Sequence, residues 1–155
     1  MDSEKLQFIQ SDFPRLLETL QPGTPAKWGK MNAQQMVEHV ADFFKVSGNK
    51  IQFGILTPEE HLPKYMDFLH SDKAFRENTK APAAVLPEEP LAERNPGLPE
   101  AIAELKSEVA FFNDYFSEDP ERRTAHPVFG NLNYEEWVLL HYKHVQHHLK
   151  QFGLL

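Results

Sequence analysis

Residues 133–152, NYEEWVLLHYKHVQHHLKQF, constrain the fold more than any other part of the chain. Asn133 is a strong N-cap residue, Glu136 follows at capping-box spacing, and Gly153 closes the segment, so the stretch reads as one long helix. Its period is amphipathic in an unusual way. With His144 set at zero and about 100° per residue, Trp137 falls at about 20°, His148 at about 40°, His141 at about 60° and Leu140 at about −40°. Glu136, Lys143 and Lys150 gather on the far side, at about −80° to −120°, and His147 falls on the polar border. Three imidazoles therefore share the apolar face. Buried polar groups are costly without partners, so this helix must pack against elements that supply them.

Three further amphipathic segments are available. Residues 3–20 carry Pro14, which predicts a kink or a restart. Residues 32–48 open with Asn32 and Gln35 at capping-box spacing and end at Gly48. The third begins at Leu98 with Pro99 in its first turn and runs to about Ser117. Between the second and third, Thr57-Pro58 with Glu60 marks a helix start that Pro63 should keep short. Residues 81–99 follow, with prolines at 82, 87, 90, 96 and 99. They read as an extended crossover that could dock Val85, Leu86 and Leu91. Strand signals are weak and no repeat is evident. The expectation is a single all-α domain over residues 1–155, an up-and-down four-helix bundle with a long Pro-rich crossover between helices two and three.

Composition narrows the function. A net charge of −7 argues against a nucleic-acid partner and against binding to acidic membranes. No apolar run is long enough to span a bilayer, and the polar start MDSEKLQFIQ lacks the features of a signal peptide, so a cytoplasmic location is expected. The chain has no cysteine, which excludes disulfides, thiolate ligands and a Cys nucleophile. Any metal must be held by His, Asp or Glu. No serine lies in a Gly-x-Ser-x-Gly context, and there is no Gly-rich phosphate loop.

His144 and His148, at i and i+4, occupy adjacent turns of one face, a spacing that lets two ring nitrogens converge on one ion. On the second segment, with His39 at zero, Phe43 falls at about 40°, Met36 at about 60° and Val46 at about −20°. His39 thus points inward too. Taken alone it would read as a hydrogen-bonded core histidine. Beside His144 and His148 it becomes the candidate third ligand.

These stretches carry a resemblance. WGKMNAQQMVEHVA, Trp28 to Ala41, resembles the second-helix motif of the DinB-like, YfiT-like superfamily of four-helix-bundle metalloenzymes. HVQHHLKQ, His144 to Gln151, resembles that superfamily's last-helix motif, and AHPVFGNLNYEEW is similar to an uncharacterised branch of it. The motif usually has Arg directly after its second His; here Leu149 stands there and Lys150 follows. The resemblance implies a bundle with a divalent metal on His39, His144 and His148; imidazole ligands suit Zn, Ni or Fe alike, so the sequence does not choose among them. It also implies thiol-dependent transfer, with bacillithiol, mycothiol or glutathione as cosubstrate in some members.

His141, one turn from His144, is the alternative ligand. His141, Gln35 and Gln151 lie near the ligand faces by angle and are candidates to orient the ligand rings. His126, ahead of the last helix, reads either as a loop-capping residue or as a proton shuttle at the pocket mouth. Trp137 and Phe43 are candidate apolar walls. An open three-imidazole site suits hydrolysis or S-transfer on a small molecule. The competing expectation is a non-catalytic bundle that binds metal or a ligand, or forms a homodimer.

Overall fold

The computed structural model describes residues 1–155. Helix α1 consists of three consecutive stretches, Ser3–Gln7, Phe8–Asp12 and Phe13–Leu17, of which the middle one is π-helical. Pro14 supplies the reason. Proline lacks an N–H, and its ring crowds the carbonyl four residues back. One widened turn ahead of it, in which the Phe13 N–H reaches Phe8 O, carries the helix through. The interruption expected at Pro14 is therefore a widened turn, not a restart.

Helix α2, Ala33–Ser47, has the full capping box of Asn32 and Gln35 and stops at Gly48. Helix α3, Leu62–His70, follows a 3₁₀ turn at Glu59–His61. Pro63 sits in the first turn of α3, where its missing N–H is not needed, so it opens the helix instead of limiting it. Helix α4 is Leu98–Ser117, with Pro99 in its first turn. Strands β1, Thr124–His126, and β2, Gly130–Leu132, form an antiparallel hairpin. Helix α5, Tyr134–Gln151, begins with the capping box of Asn133 and Glu136. No helix is long and apolar enough to cross a membrane.

The molecule is an all-α bundle of α1, α2, α4 and α5 around one continuous apolar core. Its chain directions are up, down, down, up instead of strictly alternating. Lys45 pairs with Glu104 and Lys50 with Glu108, so α2 and α4 run parallel. Met1 pairs with Glu135 and Phe8 packs on Tyr142, so α1 and α5 also run parallel. Parallel neighbours cannot be joined by a tight turn, which is why residues 49–97 intervene between α2 and α4. Helices α2 and α5 are antiparallel: His39 meets His144 and His148, while Phe44 stacks on His141. The middle of α2 is thereby laid against the second half of α5.

The crossover is fastened by polar side chains of α2. The Glu38 carboxylate accepts the backbone N–H groups of Arg94 and Asn95 at 2.9 and 3.0 Å. Gln34 donates to Asn95 O, and Gln35 donates to Leu91 O. Val85 and Leu86 are half-buried, but Leu91 is 52% exposed, because it is held through its carbonyl and not by its side chain.

The hairpin was not legible in the sequence, since strands of three residues carry no periodicity. The signal present was Pro127 followed by Gly130, whose φ of +87° lies in the left-handed region that a hairpin bend demands. Thr124 ties the hairpin to the bundle by donating from Oγ1 to Ser47 O and accepting from Trp137 Nε1 at 2.7 Å.

Candidate metal centre

His39 is presented from the middle of α2, and His144 and His148 from successive turns of α5. The three Nε2 atoms face one another: His144 Nε2 lies 3.0 Å from His39 Nε2 and 3.0 Å from His148 Nε2. One potential ligand atom from each residue lies within 4.8 Å of the others, and no carboxylate or further histidine joins the group. Burial pushes the His39 imidazolium pKa down to about 4, with nearby His147 adding to the effect. Burial first, and then mutual repulsion, hold His144 and His148 well below the ordinary histidine range. At neutral pH all three rings are neutral.

Hydrogen bonding fixes the tautomer of His148. Gln151 Nε2 donates to Trp28 O at 3.0 Å, which leaves Oε1 as the acceptor end of that amide. His148 Nδ1 lies 2.7 Å from this Oε1, so Nδ1 carries the proton and Nε2 presents a lone pair to its neighbours. Gly29 makes room for the relay. Its φ is +79°, and a Cβ there would stand 2.9 Å from Gln151 Nε2. His144 Nδ1 is the one buried side-chain nitrogen or oxygen without a hydrogen-bond partner.

This donor set fits a divalent cation. A single N–H on His144 Nε2 could satisfy one of its two neighbours but not both, which leaves two lone pairs in opposition. One cation shared by the three nitrogens removes the conflict, and imidazole nitrogen is a good ligand for first-row divalent metals.

The remaining candidates serve other roles. His141 is sandwiched between Phe44, with centroids 3.8 Å apart and planes parallel, and Trp137. Its Nε2 lies 2.8 Å from Ser47 Oγ, whose own proton goes to Phe44 O, so His141 is the donor and faces away from the cluster. His126 Nδ1 accepts the N–H groups of Val128 and Phe129, at 3.0 and 3.2 Å, and so caps the hairpin bend. Burial pushes its pKa down to about 3. Gln35 closes the α2 cap and holds the crossover, and makes no hydrogen bond to the rings. Of the residues expected to orient the ligands, Gln151 alone bonds one of them. Glu38, the acidic residue next to His39, is turned to the crossover. The sequence offered no sign of Trp28, whose carbonyl anchors Gln151, beyond its place in the second-helix motif.

The cluster lies in the wall of a cavity of about 1570 Å³ beneath the crossover, lined also by Phe43, Trp137, Leu140 and His126. This is larger than the roughly 300–1,000 Å³ of common small-molecule sites. No acidic side chain closes the three nitrogens off from this space.

A family model, that of the DinB superfamily, matches residues 4–152. Comparison with curated proteins finds no match, and neither does comparison with solved structures.

Proposed function

The chain belongs to the DinB superfamily, and from that premise we propose a metal-dependent enzyme acting on a small molecule, either a thiol-dependent S-transferase or a hydrolase. The observation that carries this reading is the convergence of the His39, His144 and His148 Nε2 atoms on one point in a cavity wall. These residues would hold a divalent ion, Zn, Ni or Fe. The ion supplies Lewis acidity, which at neutral pH activates either water or a thiol. The protein has no cysteine, so a thiol would enter as a low-molecular-weight cosubstrate. The size of the cavity supports a reaction with two small reactants.

The chain's own residues contribute orientation and exclusion. Gln151 fixes the His148 tautomer and ring plane. Phe43 packs on both His39 and His144 and limits the approach to one side. His126 lines the cavity, and with Nδ1 used as an acceptor its proton resides on Nε2, which has no protein partner. That N–H is a fixed donor for a substrate oxygen. We assign it to orienting substrate in place of the proton shuttle that the sequence also allowed.

Elemental analysis of protein purified without a metal-affinity tag tests the first half of the proposal. One equivalent of a first-row divalent metal, absent from His144→Ala, is the expected result. The second half is tested by assays of thiol transfer to small electrophiles and of ester and amide hydrolysis. Metal-loaded protein that is inactive throughout would support the other reading, a metal- or ligand-binding bundle without catalysis.

A further inference from the structure

The charges around the cavity are arranged asymmetrically. Away from its mouth the cations are largely neutralised: Lys5, Arg15, Lys50, Lys106 and Arg123 each sit within ion-pair distance of a carboxylate. The acids that line the cavity are also engaged. Glu38 accepts from the crossover backbone, Asp42 pairs with Arg94, and Glu88 and Glu89 pair with Lys30. Lys64, Lys73, Arg76 and Lys80 also line the cavity, and all four are exposed. None of the four has a carboxylate within 4.0 Å, unlike Lys30 and Arg94 on the same cavity. In a chain of net charge −7, four cations without a carboxylate partner thus gather at one mouth, whereas Lys27 and Lys150, also without one, lie outside this cavity and Lys143 is engaged by the Ser71 and Lys73 carbonyls.

The positions of these cations are built. Lys64 lies in the first turns of α3, and the other three lie on the segment that follows it. Lys143, on α5, donates from Nζ to Ser71 O and Lys73 O, which ties the start of that segment to the bundle. Phe75, between Lys73 and Arg76, packs its ring near Phe68 and Phe129. The same short stretch therefore turns an aromatic side chain inward and two cations outward. Deeper in, Phe43, Trp137 and Leu140 continue the apolar wall down to the imidazoles.

We propose that the cavity takes an amphipathic anion, a small molecule whose apolar body lies against the aromatic walls and whose carboxylate, sulfonate or phosphate group meets Lys64, Lys73, Arg76 and Lys80. This assignment deepens the metal-dependent reading and rests on it only for the end of the molecule that reacts. An apolar cavity rimmed by unpaired charge of one sign selects for an occupant of the opposite sign, both by contact and by steering its approach.

The test compares two fluorescent probes that share an apolar body, 8-anilinonaphthalene-1-sulfonate and the uncharged 1-anilinonaphthalene, on the intact folded protein. At low salt the sulfonate should bind about ten-fold tighter or more, as expected for several partly screened exposed charges acting together. The double variant Lys73→Glu/Arg76→Glu should lose that preference while binding the neutral probe as before. Lys5→Glu/Lys106→Glu, with the same change in net charge, should keep it. Equal affinity of the wild type for the two probes would overturn the proposal, as would a preference that survives in Lys73→Glu/Arg76→Glu. The preference is also expected in the His144→Ala protein. Failure of the metal site and failure of the anion site are thereby read separately.

Discussion

Two sets of histidines line the same cavity and differ in what their nitrogens face. His126 and His141 are buried, and each has a ring nitrogen satisfied by the protein: His126 by two backbone N–H groups, His141 by Ser47 Oγ. His39, His144 and His148 turn their Nε2 atoms towards each other instead, and only His148 has a conventional partner, on its opposite edge. Burial pushes down the pKa of both sets, so pKa does not separate them. Opposed lone pairs do. A buried imidazole whose partner is another imidazole's lone pair is poised for a cation. One that donates to a hydroxyl or accepts from the backbone is part of the scaffold.

The sharpest way to break this comparison is to truncate one member of each set. His144→Ala is expected to abolish stoichiometric zinc binding, measured as metal per chain after equilibrium dialysis. His141→Ala should leave metal content unchanged and instead lower stability by about 3 kcal/mol in urea unfolding, since it removes a ring packed between Phe44 and Trp137. If His141→Ala lost the metal and kept its stability, the two roles would be exchanged.

A smaller effect is expected one step out from the cluster. Gln151→Leu removes the acceptor that holds the proton on His148 Nδ1 and should weaken zinc affinity by about 10- to 100-fold, read by competition with a chromophoric chelator. Gly29→Ala should act in the same direction, because its new methyl group would displace the Gln151 amide and strain a backbone at positive φ. Unchanged affinity in both variants would show that His148 does not need the relay.

The helical phase of residues 133–152 placed His144 and His148 on one face, and that of residues 32–48 turned His39 inward, because period and burial are local properties of amphipathic helices. The capping boxes at Asn32 and Asn133 likewise formed as their spacing indicated. What could not be read were contacts made across long loops. Gln35 and Gln151 both lie near the ligand faces by angle, yet Gln35 is drawn to Leu91 O and Gln151 to Trp28 O, because the crossover and the loop before α2 bring those carbonyls to them. The parallel pairing of α2 and α4 was hidden for a similar reason. Crossover length permits either direction, and only ion pairs such as Lys45–Glu104 and Lys50–Glu108 report which one is adopted.

Titration sharpens the comparison from the scaffold side. The folded-state pKa of His126 is about 3, below the ordinary 6.5, so between those values the unfolded chain binds a proton that the folded one does not. Stability then rises with pH across that window and is lost as pH falls from 6.5 towards 3. The slope is about 1.4 kcal/mol per pH unit for each such imidazole. His126→Asn keeps an acceptor for the hairpin N–H groups and has no proton to gain. Its stability should therefore fall less steeply than that of the wild type in metal-free urea unfolding between pH 6 and pH 4. Equal slopes would mean that His126 is not held neutral by the fold.

The smallest expected effect belongs to His147, which belongs to neither set. Its ring packs near Trp28, Phe75 and His148, and it is half-buried. It is next to His148 in sequence, but a helix turns about 100° between neighbours, so adjacency in sequence puts the two side chains on different faces. None of its nitrogens belongs to the converging group. His147→Ala should therefore keep full metal stoichiometry. Any change in affinity should stay near two-fold and arise indirectly, because Trp28 loses a ring contact while its carbonyl still supports Gln151 and, through it, His148. Parallel dialysis of His147→Ala and His144→Ala decides the point. Equal loss of metal in the two would mean that the ligand face of α5 is turned from the one described, and would undo the distinction between the two sets of histidines.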